Sequence, residues 1–288
     1  MKQKSLCLLA MLFASIVCAQ ESKVEKKTVK AHDGLPIYCE VRGEGDTALV
    51  FIHGWGGDHE YWKNQVEAFA PNYRVVAIDQ AGHSQSGKER KEWKVAELAQ
   101  DVESVVKELG LKRVILVGHS MGGPVALLAA KRLPGTVIAV IGSDTLQNAE
   151  YKMPEDTVKG FLQMFETNFR GTVSGMFGSM LNSKADPELK KWLGDKAANQ
   201  NQKMAIGLMK DMTSQDTVML FKEAKVPIRC INSSGGYQFF RPTDVEVNKK
   251  YGDFNVVTIA EVGHYPMLEK PEEFNQKLRE ILKEVEKR

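Results

Sequence analysis

Cysteine is scarce in this 288-residue sequence, which contains only Cys7, Cys18, Cys39 and Cys230. Two of them fall within the first 18 residues and the other two are far apart, so a disulfide framework cannot replace a hydrophobic core. We therefore expect Cys39 and Cys230 to be buried as small apolar side chains. With 43% hydrophobic and 26% charged residues, the composition excludes a disordered chain and a coiled coil.

An excess of charge of one sign is also lacking. Lys and Arg number 39 against 37 Asp and Glu, and two of the lysines lie at the extreme N-terminus. A neutral chain gives no electrostatic argument for nucleic acid or an anionic membrane as a partner. The sequence has no G-x-G-x-x-G motif, no P-loop, and no His, Cys and Glu cluster with metal-ligand spacing. We therefore expect neither a metal nor a cofactor.

The N-terminus has the pattern of a secretory signal. Two lysines precede the apolar run 6–17, which is shorter than the roughly 20 residues that usually span a bilayer. Val17-Cys18-Ala19 then resembles a small-residue cleavage site. We predict a signal peptide over residues 1–19 and export to the periplasm or the medium, with no membrane span. A lipoprotein anchored through Cys18 is the alternative, although Ile16 and Val17 make a poor lipobox.

Short apolar runs, typical of strands buried on both faces, alternate with helical patterns along most of the chain. This alternation predicts an α/β fold with a mostly parallel central sheet and helices on both faces. A hairpin is predicted at its start. The predicted strands are 24–31, 35–42, 47–53, 73–79, 113–118, 136–142, 226–232 and 255–260, and the predicted helices include 95–110, 122–133, a segment near 242–251, and 271–287.

The strand rhythm disappears between about residues 145 and 223, where Met and Phe are frequent. We predict a helical lid over 145–223, built from several short helices and inserted between the two parts of an α/β core, 20–144 and 224–288. Apolar side chains of this kind more often form a core than a substrate pocket, and in a lid some of them would do both.

The segment GHSMGG, residues 118–123, lies between a predicted strand and a predicted helix. In such a turn Ser120 would adopt a strained backbone, and Gly118 and Gly122 would avoid the collisions that Cβ atoms cause there. The serine would then stand exposed at a helix N-terminus, as a nucleophile does. The alternative is a glycine-rich turn without chemistry.

Four motifs occur in one order along the chain: HGWGG (53–57), DQAGHSQSG (79–87), GHSMGG (118–123) and VGHYPMLEKPEEF (262–274). Together they resemble the α/β-hydrolase fold family. The resemblance implies that Ser120 is the nucleophile and that His264, the histidine that follows it in chain order, is the base. It further implies an oxyanion hole formed by the backbone amides of Trp55 and Met121.

The resemblance also implies a third catalytic residue, an acid that orients His264. Most relatives have an aspartate shortly after the strand represented by 226–232, but this chain has no carboxylate there before Asp244, which resembles a helix N-cap. Asp144 ends the preceding predicted strand at the carboxyl edge of the sheet, and we favour it as the acid. We interpret Asp79, His53 and His119 as structural.

These residues predict a serine hydrolase that cleaves a small, fairly apolar ester or acyl substrate through an acyl-enzyme on Ser120. Phe161, Met164 and Phe165 are candidate walls of the substrate pocket. The serine argues against dehalogenase and epoxide hydrolase chemistry, which use an aspartate nucleophile in this family. Cofactor-free haloperoxidase, carbon–carbon hydrolase and peptidase chemistry stay open, as does a ligand-binding or signalling protein with the same shell.

Overall fold

The computed structural model describes residues 23–235 and 245–287. The predicted signal peptide 1–19, with Cys18, and the alternative acid Asp244 lie outside these residues. Within them, eight strands form one sheet in the order β1-β2-β4-β3-β5-β6-β7-β8. The strands are β1 (Glu25–Lys30), β2 (Pro36–Arg42), β3 (Thr47–Ile52), β4 (Arg74–Ile78), β5 (Arg113–His119), β6 (Val137–Ser143), β7 (Ile228–Ser233) and β8 (Phe254–Ile259).

The predicted sheet architecture is confirmed. β1 and β2 form the antiparallel hairpin, β2 also pairs antiparallel with β4, and all other pairings from β4 to β8 are parallel. The apolar runs form central strands because both faces are covered, and every residue of Leu49–Ile52 in β3 is fully buried. Cys39 in β2 and Cys230 in β7 are free thiols in this core, as expected.

Helices cover both faces of the sheet. Helix α2 (Val95–Glu108) packs against α3 (Gly122–Arg132). Helix α1 (Lys63–Phe69) packs against the C-terminal α9 (Pro271–Val285). The short α8 (Pro266–Glu269) directly precedes α9. The described part of the helix predicted near 242–251 is a 3₁₀ helix over Val245–Lys250, not an α-helix.

Four helices follow one another between β6 and β7: α4 (Glu155–Ser179), α5 (Pro187–Ala198), α6 (Gln202–Thr213) and α7 (Thr217–Ala224). We call this segment the helical insertion. Helix α4 spans 25 residues but consists of two shorter helical stretches that meet at a non-helical break at Asn168, in keeping with the prediction of several short helices. The Asn168 side chain accepts the N–H of Gly171 across that break, and so lets the helix resume.

The last helix of the insertion belongs to the layer beside the sheet, because α7 packs against α3. Helices α4 and α6 instead contact the loops at the carboxyl ends of β3 and β4. Trp55 in the first loop packs against Phe165 of α4, and Gly82 in the second lies against Met204 of α6. No helix in the described ranges is long and apolar enough to cross a membrane.

Candidate active site

Ser120 occupies the sharp turn between β5 and α3. Its φ angle is +51°, in the left-handed region of the backbone that residues with a Cβ rarely adopt. A Cβ on Gly118 would lie 2.2 Å from the carbonyl oxygen of Gly122, and one on Gly122 would lie 2.4 Å from that of Ile52. The predicted turn is therefore present, and its two flanking glycines are required by the close approach of the backbone.

Asp144 follows the last residue of β6, beside the serine turn. The register pairs His119 of β5 with Ser143 of β6, so Ser120 and Asp144 leave the sheet at the same level. The Asp144 side chain is buried, and its Oδ2 lies 2.6 Å from Nδ1 of His264. Its Oδ1 accepts the backbone N–H of Ser233 at 2.8 Å. Both oxygens of the carboxylate are thus engaged, which fixes its orientation.

The loop after β8 carries His264, whose side chain is almost completely buried. Its backbone N–H donates to the carbonyl of Met180 at 2.7 Å, and its own carbonyl accepts from Nε2 of His119 at 2.8 Å. The His119 and His264 ring centroids are 4.7 Å apart. The histidine next to Ser120 thus holds the backbone of the loop that carries His264.

Burial lowers the pKa of His119 well below its ordinary value, so this imidazole is neutral. A neutral ring that donates from Nε2 to the carbonyl of His264 has no proton on Nδ1. His119 therefore contributes a hydrogen bond and no charge. This agrees with the structural interpretation made from the sequence.

The loop 53–57 lies directly against the serine turn. A Cβ on Gly54 would lie 3.0 Å from the Cβ of Ser120, so Trp55, the next residue, is close to the nucleophile candidate. Met121 follows Ser120 and immediately precedes the first residue of α3. The two residues whose amides were predicted to form an oxyanion hole thus flank Ser120 from adjacent loops.

His53 fixes this loop. Its Nε2 accepts the backbone N–H of Gln80 at 2.9 Å, which leaves the proton on Nδ1 for the carbonyl of Gly54 at 2.7 Å. Burial lowers the pKa of His53 to about 3, so the ring stays neutral at physiological pH. The loop after β3 is therefore tied to the loop after β4.

The indole of Trp55 is enclosed by the helical insertion. It stacks on Phe165 with a centroid separation of 5.5 Å, and its Nε1 donates to the carbonyl of Ala205 at 2.8 Å. Of the candidate pocket residues, Phe165 thus reaches the loop beside Ser120 and is fully buried. Phe161 is half-buried on the preceding turn of α4, and Met164 is 46% exposed.

The family model for the α/β hydrolase fold matches residues 47–203, which is more than half of the chain. The chain belongs to the α/β hydrolase fold family. Its strand order, the turn at Ser120 and the histidine loop after the last strand are all consistent with that membership.

Relatives of this α/β hydrolase differ in how much of the chain they match. The dihydrolipoyllysine-residue acetyltransferase component of the acetoin cleaving system from Pseudomonas putida is 37% identical over 119 residues, which are 40% of this chain and 32% of that protein. The pimeloyl-[acyl-carrier protein] methyl ester esterase of Pectobacterium carotovorum is 29% identical over 142 residues, or 48% of this chain and 54% of that enzyme. The chain thus spans about a third to a half of these two relatives.

Solved structures match over most of the chain. An esterase from Exiguobacterium antarcticum superposes with a TM-score of 0.81 at 20% identity, covering 90% of this chain and all of the esterase chain. At this identity the superposition establishes the shared fold alone.

Asp79 of the hydrolase, at the end of β4, has a structural environment, as expected from the sequence. Its carboxylate accepts the backbone N–H and the Nδ1–H of His59 and the N–H of Gln85. Burial raises the pKa of Asp79, but the hydrogen bond and charge of His59 outweigh burial and leave this pKa below its ordinary value. The residue ties together the loops that follow β3 and β4.

Among the described residues, one cluster has ligand atoms close enough to suggest a metal: His32, Asp33 and Asp101. The guanidinium of Arg90 donates to both carboxylates at 2.9 Å. Because the arginine already supplies the cation, we interpret this cluster as an ion-pair network.

Two cavities of about 210 and 560 Å³ lie at the border between the core and the helical insertion. The smaller one is lined by Gly56, His83 and Gln200, and the larger one by Lys63, Trp192 and Glu269. Neither is lined by Ser120 or His264.

Two residues near the site were missed by the sequence analysis. The hydroxyl of Thr145 donates to the carbonyl of Ser120 at 2.6 Å, and Glu269 binds the backbone on both sides of His264. Thr145 adjoins the favoured acid, and Glu269 lies within the quoted motif 262–274. These positions were the only sequence signal for the two residues, because neither a threonine nor a glutamate by itself indicates such a contact.

Proposed function

We propose that this α/β hydrolase is a serine hydrolase that cleaves a small, fairly apolar ester or acyl substrate through an acyl-enzyme on Ser120. The observation that carries the proposal is the 2.6 Å contact between Oδ2 of Asp144 and Nδ1 of His264. With Nδ1–H donated to the carboxylate, Nε2 of His264 is the nitrogen that can accept a proton. An oriented imidazole of this kind is what a serine nucleophile requires.

In the proposed reaction, Oγ of Ser120 attacks the carbonyl carbon of the substrate while its proton passes to Nε2 of His264. The backbone amides of Trp55 and Met121 stabilise the negative charge on the carbonyl oxygen. His264 then returns the proton to the leaving alcohol, and the acyl group stays on the serine. Water, deprotonated by the same imidazole, releases the acid and restores the hydroxyl.

Asp144 serves this cycle by stabilising the imidazolium and by keeping the proton on Nδ1. The N–H of Ser233 on its other oxygen prevents the carboxylate from rotating. This proposal takes the acid from the end of β6, the strand that pairs with β5, and not from the loop after β7.

The apolar substrate class rests on the surroundings of Trp55. Phe165 and Phe177 of the helical insertion both pack on its ring, so apolar side chains lie beside the loop that carries a proposed oxyanion donor. We propose that the insertion acts as a lid and that Phe161, Met164 and Phe165 border the bound acyl group. The esterase of similar fold and the methyl ester esterase relative support an ester as substrate.

Export is the proposed location. The predicted signal peptide 1–19 implies a mature chain that begins at Gln20, in the periplasm or the medium. N-terminal sequencing of the protein recovered from those fractions tests this. A blocked, lipid-modified Cys18 would instead establish the anchored form.

A fluorophosphonate probe tests the proposed mechanism directly, because it phosphonylates a serine only when the base and the oxyanion donors are in place. We expect one adduct on Ser120 in the folded protein and turnover in a panel of esters with short to medium acyl chains. Ser84→Ala, at an exposed serine, is the control and should keep both. A folded protein with no adduct and no turnover would indicate a ligand-binding member of the family instead.

A further inference from the structure

The carboxylate of Glu269 binds the backbone on both sides of His264. Its Oε1 accepts the N–H of Gly263 at 2.8 Å and the N–H of Tyr265 at 3.3 Å. Glu269 ends the short helix α8, five residues after His264. One side chain therefore bridges the two residues that flank His264 in its loop.

The second oxygen of the same carboxylate reaches the helical insertion. Oε2 of Glu269 accepts the N–H of Asn182 at 2.9 Å, just after the end of α4. Nearby, His264 donates its own N–H to the carbonyl of Met180. A Cβ on Gly263 would lie 2.2 Å from that carbonyl oxygen, so the two segments touch without an intervening side chain. Glu269 thus connects the histidine loop to residues 180–182.

These contacts are stronger than ordinary turn hydrogen bonds, because an ionised carboxylate accepts three backbone N–H groups. Burial raises the pKa of Glu269 above its ordinary value, and the hydrogen bonds from Asn182, Gly263 and Tyr265 offset only part of that effect. Replacing the carboxylate by an amide would leave one accepting oxygen in place of two, so an NH₂ group would face at least one of the three backbone N–H donors. The backbone at 263–265 would then be free to shift.

We propose that Glu269 is a positioning residue for His264: it holds the loop in the place where Nδ1 meets Asp144, and it couples that place to residues 180–182 of the helical insertion. The proposal rests on the function proposed above. Shifts of this kind are costly, since a displacement of about 1 Å at a catalytic group can reduce a rate by about a hundredfold.

Glu261 offers a matched control. It is an exposed carboxylate on the same loop, lines the same 560 Å³ cavity, and lies 3.8 Å from Lys270. Glu261→Gln removes one negative charge from this loop, as Glu269→Gln does, with the same change of side chain. We therefore expect Glu261→Gln to separate the effect of a lost negative charge from the effect of the lost backbone contacts.

The test compares Glu269→Gln with Glu261→Gln by ester kinetics and by the downfield proton resonance of the His264 Nδ1–H that faces Asp144. We expect Glu269→Gln to lower kcat about tenfold or more while KM changes less than about threefold. We also expect its downfield resonance to shift or broaden. Glu261→Gln should leave kcat within about twofold of the wild type and the resonance in place.

A Glu269→Gln protein with a lower melting temperature but a wild-type kcat and resonance would overturn the proposal and leave Glu269 a purely structural role. If this variant does not fold, Glu269→Asp replaces it, because the shorter side chain keeps the charge but cannot reach both segments. If the wild type hydrolyses no ester, the proposed function fails, and the resonance alone still decides whether Glu269 positions His264.

Discussion

The hydroxyl of Thr145 donates a hydrogen bond to the carbonyl of Ser120, over a distance of 2.6 Å. This bond joins the turn after β5 to the turn after β6. Ser120 and Asp144 both have positive φ angles, +51° and +42°, at these neighbouring strand ends. Two residues with strained backbones at neighbouring strand ends, in turns that this bond joins, indicate a site where geometry is maintained at a cost in stability.

Ser120→Ala is expected to reduce ester turnover by about 10³-fold or more, because the nucleophile is lost. Ala keeps the Cβ and therefore the backbone strain, so its melting temperature should match that of the wild type. Ser120→Gly should be more stable than Ser120→Ala by about 1 kcal/mol, since glycine adopts positive φ without cost. Urea unfolding of both variants measures the difference.

Ser84 provides the control for that stability effect. It is exposed and has a φ of +41°, similar to Ser120. Ser84→Gly should gain stability by a similar amount while turnover is unchanged. Equal turnover in wild type and Ser120→Ala would reject the serine mechanism.

Asp144→Asn is expected to lower kcat by about 10⁴-fold, because an amide at this position favours the wrong tautomer of His264. Asparagine tolerates positive φ, so the fold should be preserved. Steady-state kinetics across pH measure the loss, and Asp244→Asn serves as the comparison. A large loss in Asp244→Asn alone would transfer the role of the acid to Asp244.

Acid should destabilise the fold through buried neutral histidines. Burial lowers the pKa of His53 to about 3 and that of His83 to about 4, whereas an unfolded histidine titrates near pH 6.5. Below pH ~6.5 the unfolded chain therefore binds more protons than the folded one. The stability from these two residues is complete above that pH and falls as pH drops toward 4, by up to about 1.4 kcal/mol per pH unit for each histidine.

His83→Gln should reduce the slope of the free energy of unfolding against pH, between pH 6.5 and 5, by the equivalent of about one proton per molecule. Urea midpoints at several pH values measure this slope. An unchanged slope in His83→Gln would show that this imidazole is not the source of the acid sensitivity.

Phe165 and Met164 are neighbours on α4, but we expect their side chains to contribute different amounts to the free energy of unfolding. Phe165→Ala should lower the free energy of unfolding by about 3–5 kcal/mol, because its ring is fully buried against Trp55. Met164→Ala should stay within about 0.5 kcal/mol, since that side chain is 46% exposed. Equal losses in denaturant unfolding would mean that Met164 is packed in solution.

The sheet could be predicted from the sequence because its central strands are buried on both faces. Runs such as 113–118 then contain almost no polar residue, and the observed β5 extends the prediction by one residue to His119. The break in α4 could not be located in the same way. The sequence predicts several short helices over 145–223 but marks no end at Asn168, where the helix stops and resumes. Phe165 and Phe177, one on each side of this break, both pack on Trp55.

The residues proposed to carry the chemistry were easier to predict than the residues that support them. Ser120 and His264 belong to motifs with a fixed chain order, and the structure brings Asp144 to His264. Alternation along β5 could not reveal that His119 binds the backbone of His264, because that contact depends on a loop 145 residues away. Long-range backbone contacts of this kind leave no local pattern in a sequence.

The hydrogen bond from His264 to the carbonyl of Met180 limits how this enzyme family member can be re-engineered. Exchanging the helical insertion for that of another hydrolase, in order to alter substrate range, would also replace an acceptor of the histidine loop. A chimera that substitutes only residues 155–179 and retains 180–182 keeps that acceptor. Under the proposed function, the segment that borders the substrate and the loop that carries the base are therefore not separable, and residues 180–182 after α4 connect them.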